Sequence, residues 1–259
     1  MIQSVGRAAR ILKALGSESA RLGVTELGER LGLPKATVYG LLRTLEAHQF
    51  VEQDLETGKY RLGPALLQLG NAFLDNHELR ARSLLWAESL ASRAREAVHV
   101  GVLYNDTVLI VHHVFRPDNS VQILEVGASI PWHASALGKA MAAHLDTEHC
   151  RSLLDAPLPR LTGRTITDPA ELERQLARVR HDGFAIEDQE AIVGEAGIAA
   201  PLFDNRGAVV GAIGLVGPTE HLLDGDEPAA NAVAAVKEAA RGVSRELGAR
   251  RLVIPGAGA

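Results

Sequence analysis

One cysteine, Cys150, occurs in 259 residues, so no intrachain disulfide can form and nothing requires an oxidising compartment. With no other cysteine and no evident base beside it, Cys150 reads as an ordinary thiol rather than a nucleophile. Apolar runs are short. None approaches the ~20 residues that a membrane-spanning helix needs, and no membrane partner is expected. The opening residues, Met1-Ile2-Gln3-Ser4-Val5-Gly6-Arg7, lead into an amphipathic pattern without the apolar h-region of a secretion signal, so the cytoplasm is the expected location. Metal-ligand spacings are missing too. His112 and His113, with His133 and His144, match no structural zinc pattern, and adjacent histidines on one strand face opposite ways and cannot chelate from one face. No metal and no other cofactor is expected. Nor does a nucleophile converge with an acid and a base. The run Glu187-Asp188-Gln189-Glu190 suits a solvated loop better than a hydrolytic pair. Gly211 and Gly214 fall inside a strand pattern and not in a phosphate loop, and Arg151, Arg160 and Arg164 suit a surface. An enzyme is not the expected reading.

What is present is the composition of a globular chain, with 46% hydrophobic and 23% charged residues. The net charge of -5 argues at first against a polyanionic partner, but it is unevenly spread. Residues 1–63 hold nine Lys/Arg against seven Asp/Glu, whereas the rest hold 18 against 25. A mildly basic head on an acidic body suits a DNA-reading module joined to something else.

The head reads as three helices and a hairpin. Val5, Ala8, Leu12 and Leu15 recur at helical spacing before Gly16. A second helix fits Thr25 to Leu31, with Thr25 as N-cap and Leu27 and Leu31 inward. Gly32 supplies a turn, Pro34 opens a third helix, and that helix runs to about Ala47. Val38, Leu41, Leu42 and Leu45 form its apolar stripe. Its other side shows Ala36, Tyr39, Gly40 and Arg43, with Lys35 and Thr37 in the first turn. A short turn between two helices, the second polar and basic outside, is the helix-turn-helix arrangement. Phe50–Asp54 and Lys59–Leu62 read as strands around Glu56-Thr57-Gly58, with Lys59 and Arg61 on one face as a wing able to touch phosphates. The same pattern also fits a three-helix bundle whose hairpin binds protein.

Behind it, Pro64 to about Asp75 reads as a linker helix with Leu66, Leu69, Gly70 and Phe73 on one side. The remainder alternates. Helices are expected over Leu79–Ala94, Ala134–His144, Ala170–His181 and about Glu227–Gly248, and strands over Val98–Leu103, Thr107–Val114, near Val121–Val126, Ile198–Phe203 and Ala208–Val216. Asp168-Pro169 opens one helix, with Glu171 in capping-box position. The expected fold class is α+β, an antiparallel-rich sheet flanked by helices. The expected division is 1–63, a linker 64–77, and 78–259.

The stretch Leu31-Gly32-Leu33-Pro34-Lys35-Ala36-Thr37-Val38-Tyr39-Gly40-Leu41-Leu42-Arg43-Thr44-Leu45, with Tyr60-Arg61-Leu62-Gly63, resembles the DNA-binding domain of the IclR family of bacterial regulators. The likeness resumes at Pro131–Ala140, at Thr165-Ile166-Thr167-Asp168, at Gly183-Phe184-Ala185, and from Gly194 to Ala199-Ala200-Pro201, covering most of the chain in order. Val108–Asp118 and His77–Arg82 resemble the glycerol-operon subgroup of that family. The resemblance implies a winged helix-turn-helix, a linker helix that helps pair subunits, and a GAF-like effector domain. It implies a regulator, taken as a repressor, that binds a double-stranded DNA operator as a homodimer or homotetramer. Lys35, Ala36, Thr37, Tyr39, Gly40, Arg43, Thr44, Lys59 and Arg61 are the DNA-facing candidates. The family commonly has serine at the position of Ala36 and arginine at that of Gly40, so a phosphate contact and a base reader are missing here.

For the effector, the resemblance implies a site at Gln122, Ser135, Ala136, Leu137, Glu187, Gly197, Gly214 and Val216. Backbone N–H groups around Ser135 begin a helix and favour an anion. Gly197 stands where the family often has cysteine, and Gly214 and Val216 where it has hydroxyls, so a roomier and less polar pocket is expected. The subgroup implies glycerol 3-phosphate, with His112, His113 or Arg116 as cationic help, at most one of the two histidines facing inward. The alternative is a small carboxylate or aromatic acid.

Overall fold

The computed structural model describes residues 2–17, 21–118, 122–225 and 227–249. It divides into two compact units, with the break between Asn76 and His77. No helix among the described residues is long and apolar enough to cross a membrane.

The first unit contains α1 (Gln3–Gly16), α2 (Val24–Leu31), α3 (Lys35–Ala47), β1 (Val51–Gln53), β2 (Tyr60–Leu62) and α4 (Ala65–Asp75). Its core joins Ile11, Ala14 and Leu15 of α1 to Leu27, to Val38, Leu42 and Leu45 of α3, and to Val51 and Tyr60 of the hairpin. The i, i+4 and i+7 spacing along α3 is what lets one stripe reach all of them. On α1 the inward arc differs from the expected one. Ile11 is buried, while Val5 is 65% exposed, because α2 and α3 cover only the last two turns of the helix. Thr25 is not the cap of α2. The helix starts at Val24, and the Glu26 carboxylate reaches back to accept from the Gly23 N–H at 2.6 Å. Gly32, at φ 64°, makes the left-handed turn that aims α3 away from α2, a conformation that carries no steric penalty without a Cβ. A backbone bridge between Leu22 and Tyr60 ties the α1–α2 loop to the wing. None of α4 is buried within its unit, and Leu67, Leu69 and Phe73 are more than half exposed.

In the second unit, α5 (Glu78–Ala94) leads into β3 (Ala97–Tyr104) and β4 (Thr107–Val114), followed by β5 (Ser129–Pro131). Then come α6 (Ala136–Ala142), α7 (Thr147–Asp155), α8 (Pro169–Asp182), β6 (Ala185–Asp188), β7 (Glu195–Phe203) and β8 (Val209–Pro218). After a short α9 (Thr219–Leu222) and the β9 (Leu223–Asp224) and β10 (Glu227–Pro228) pair, α10 (Ala230–Glu246) closes the unit. The six-stranded sheet has the order β5-β4-β3-β8-β7-β6 and is antiparallel throughout. Helices cover both faces. Every residue of β7 from Ala196 to Leu202 is therefore buried, where a half-exposed strand would alternate.

Three expectations change here. Val121 lies outside the described residues, and 122–126 form no strand; β4 takes its edge partner from Ser129–Pro131 instead. The helix expected from Ala134 is preceded by a tight 3-10 turn at Trp132–Ala134, and α6 begins at Ala136. A Cβ on Gly138 would stand 2.2 Å from the Trp132 carbonyl, so only glycine lets that turn fold back against α6 and set Ser135 as its cap. Glu171 does not complete a capping box. Asp168 caps α8 alone, and Glu171 pairs with Arg174 at 2.5 Å.

Candidate functional site

In the first unit the candidate surface is the outer side of α3 and the wing. Lys35, Ala36, Tyr39, Gly40, Arg43 and Thr44 are exposed together, and Thr37 is half-buried. Thr44 turns its hydroxyl onto its own helix, donating to the Gly40 carbonyl at 3.1 Å. A Cβ at Gly40 would meet nothing within 4 Å, so the glycine there is not a steric requirement of the fold. The cations of this surface have internal partners. Arg43 lies 3.3 Å from Glu46, Lys59 3.0 Å from Glu26, and Arg61 2.9 Å from Glu52. Such exposed pairs contribute about 0–1 kcal/mol, so a phosphate can displace the carboxylate at little loss. Arg21, not singled out from the sequence, joins the wing through Asp54 at 2.8 Å; the Leu22–Tyr60 bridge brings it there.

In the second unit, a cavity of ≈ 50 Å³ lies between the start of α6 and the sheet. Its walls include Ser135, Ala136, Leu137, Glu187, Gly197 and Val216 from the expected set, together with His99, Glu125 and Glu195, which sequence reading missed. Wider grooves of ≈ 500 and ≈ 650 Å³ flank α8 and α7, but they are more open and collect none of the expected residues. The register explains the convergence. His99 pairs with Gly214, Gly214 with Ala199, and Gly197 with Val216, so these positions share the sheet face beneath α6. Gly197 leaves open the space beside Ala136: a Cβ there would approach the Ala136 methyl to 3.3 Å and the Glu187 Oε2 to 3.5 Å.

Four expected residues do not form the walls. A Cβ on Gly214 would stand 2.6 Å from the Ile198 carbonyl, so this glycine serves close strand approach. Gln122 spends its amide on the backbone of Arg116, accepting from its N–H at 2.6 Å and donating to its carbonyl at 2.9 Å. Arg116 faces Glu96 at 3.7 Å and also pairs with Asp118. His112 sits beside Arg80 of α5, and burial followed by that guanidinium lowers its pKa. His113 is the histidine on the cavity side, its ring edge-on to His99 with centroids 4.6 Å apart.

Burial shifts each of the cavity's ionisable groups toward its uncharged form. Burial, then the nearby His113, pushes the His99 pKa down to about 3, so the ring is neutral at pH 7. Its Nε2 stands 3.8 Å from Glu125, too far for a hydrogen bond, and its buried Nδ1 has no partner among the described residues. Glu187 accepts from the N–H groups of Glu190 at 2.5 Å and Ala191 at 3.2 Å through Oε1. Burial nonetheless raises its pKa to about 7, against the pull of those N–H groups and of Lys139. Burial also raises Glu125, with Glu195 adding to it, and raises Glu195 against the opposing Arg116.

A test of the Glu187 environment follows. A carboxyl whose folded pKa exceeds its unfolded value stabilises the fold fully below about pH 4.5, and that contribution fades as pH rises through about 7. The stability of the parent protein minus that of Glu187→Gln should therefore fall between pH 5 and pH 8, by on the order of 2–3 kcal/mol. Urea unfolding of both proteins across that range reads the difference directly, and a flat difference would place Glu187 in water.

Comparison with known proteins adds family relationships. The model for the IclR helix-turn-helix domain matches residues 4–55, and that for the bacterial transcriptional regulator IclR C-terminal domain matches residues 71–245. A glycerol operon regulatory protein of Streptomyces griseus is 47% identical over 96% of this chain and 98% of its own length. The Streptomyces coelicolor glycerol operon regulatory protein has the same identity and coverage. Among solved structures, an IclR transcriptional regulator from Alicyclobacillus acidocaldarius superimposes with TM-score 0.82 at 32% identity, over 96% of this chain and 100% of its own.

Proposed function

Because the chain belongs to the IclR family of bacterial transcriptional regulators, an effector-controlled DNA-binding family, we propose that it represses a glycerol-utilisation operon in response to a small metabolite of that route. The near full-length likeness to the two Streptomyces proteins carries this reading. The working division is 1–63 for DNA, 64–77 as linker and 78–259 for the effector and oligomerisation. The exposed apolar side of α4 supports a homodimer, or a tetramer built from it, since Leu69 and Phe73, four residues apart on one face, would gain from a second copy. Pairing also has a physical reason, because one small module buries too little groove for useful specificity. The protein works in the cytoplasm, without catalysis.

Lys35, Thr37, Tyr39 and Arg43 read or clamp the major groove, and Lys59 and Arg61 of the wing hold phosphates. The cavity under α6 holds the effector. Arg43→Ala should weaken binding to the DNA upstream of the glycerol genes by about 1–3 kcal/mol if the guanidinium reads a base edge. Mobility shifts of parent and variant on that fragment and on a scrambled one check it. Equal affinities for the upstream fragment would remove Arg43 from the reading surface.

A further inference from the structure

Three carboxylates and a buried imidazole meet in the cavity, and among the described residues no lysine or arginine contributes to its walls. Glu187 and His99 are almost wholly buried, Glu125 is partly covered, and Glu195 is half-buried at the first residue of β7. The remaining walls are apolar, among them Ile130, Leu137, Ile192 and Val216. The nearest cations are committed elsewhere. Arg116 is held between Glu96 and Asp118, and Lys139 is locked to Glu190 at 2.5 Å.

We propose that this cavity takes an uncharged polyol of about glycerol's size, and that its ring of carboxylates excludes the phosphorylated and carboxylate forms of such a molecule. The inference rests on the regulator reading above, which points to glycerol chemistry, and asks which charge state of that chemistry the site accepts. Carboxylates and a neutral imidazole are acceptors that hydroxyl groups satisfy as donors. The Glu187 Oε2, on the side of Gly197, and the His99 imidazole supply two such positions among the walls. A phosphate brought there would set two negative charges beside three acidic side chains, in a poorly solvated space where no described wall residue carries a compensating cation. The one feature favouring an anion is the start of α6. That helix has seven residues, and Ser135 already accepts from the Gly138 N–H as its cap. The charge of the walls and the open space left by Gly197 therefore act together.

Isothermal titration of the full-length protein, prepared in glycerol-free buffer, separates the cases with glycerol, glycerol 3-phosphate, pyruvate and ethanolamine as probes. Glycerol should bind saturably, and glycerol 3-phosphate and pyruvate at least about tenfold more weakly or not at all. Glu187→Gln should weaken glycerol by about tenfold, the loss of one hydrogen-bond acceptor, and should strengthen glycerol 3-phosphate. Should that variant fail to fold, Glu195→Gln carries the same opposite-signed expectation. The proposal is overturned if glycerol 3-phosphate or pyruvate binds the parent protein as tightly as glycerol. Preference for ethanolamine would overturn it too, by showing that the carboxylates serve a cation. So would silence with every probe. Binding to the upstream DNA, measured on the same preparations, reports separately on the regulator reading, which stands or falls on that readout alone.

Discussion

Replacing Lys139 by methionine should destabilise the effector domain by about 3–5 kcal/mol, the usual loss when one partner of a buried ion pair is removed. Lys139 is 1% exposed on α6, and Glu190 is 4% exposed in the loop that follows β6. Their Nζ–Oε1 separation is 2.5 Å, and the ammonium also donates to the Ile186 carbonyl at 3.4 Å. The methionine stem keeps most of the packing, so the loss isolates charge. Glu190 would remain in the interior without its counterion, and its other oxygen already lacks a partner among the described residues. Two companions make the result diagnostic. Lys139→Met combined with Glu190→Leu should recover most of the loss, because two apolar groups of similar volume need no solvation. The single variant should also regain stability on acidification. Burial already raises the Glu190 pKa, and without Lys139 it rises further, so the variant's stability is greatest where Glu190 is protonated and fades as pH rises. Denaturant melts at pH 5 and pH 8 read both effects. A loss under 1 kcal/mol would mean that water reaches the pair.

The pair bears on function because Glu190 stands in the loop that follows β6, just beyond Glu187 near the end of that strand. The Glu190 N–H donates to Glu187, and its carbonyl accepts from Thr165 at 2.7 Å. Lys139 thus fixes the loop whose Glu190 N–H holds the cavity's most buried carboxylate, Glu187, while α6 brings Ala136 and Leu137 to the opposite wall.

Local signals made the DNA-binding half readable in the sequence. Gly32 and Pro34 mark the turn, the spacing of Val38, Leu42 and Leu45 fixes which side of α3 is inward, and that leaves Tyr39 and Arg43 outside. The β3–β4 hairpin was equally plain around Asn105, which takes the left-handed φ of 57° that asparagine tolerates. The cavity was half legible. Residues of the Ser135–Leu137 segment and Glu187 came through resemblance, but His99, Glu125 and Glu195 carry no shared motif, and only the antiparallel register and the loop after β4 bring them together. Period-two alternation says that His112 and His113 face opposite ways and cannot say which faces α6. That choice follows from α5 covering the other side of the sheet, a tertiary fact. The segment expected as a strand near 121–126 has the apolar content of one. In the structure, the Gln122 amide grips the Arg116 backbone instead, and Ile123 and Leu124 are left exposed.

The proposed reading of DNA by two paired, phosphate-gripping modules is tested most directly by salt dependence. Each module offers Lys35, Lys59 and Arg61, with Arg21 beside them, and two modules give about six to eight phosphate contacts. Each contact releases a condensed counterion, so affinity should fall by about 10³–10⁴ between 50 and 200 mM salt. The surface ion pairs to Glu26, Glu46 and Glu52 do not alter this, because they exchange for phosphates at little loss. The measurement is fluorescence anisotropy of a labelled duplex from upstream of the glycerol genes, against a scrambled duplex, across that salt range. A steep fall on both, with the upstream duplex at least about 10³ tighter at physiological salt, is the expected result. Weak binding that is equal on the two duplexes and flat with salt would contradict it, and would mark the helix and wing as a surface for protein.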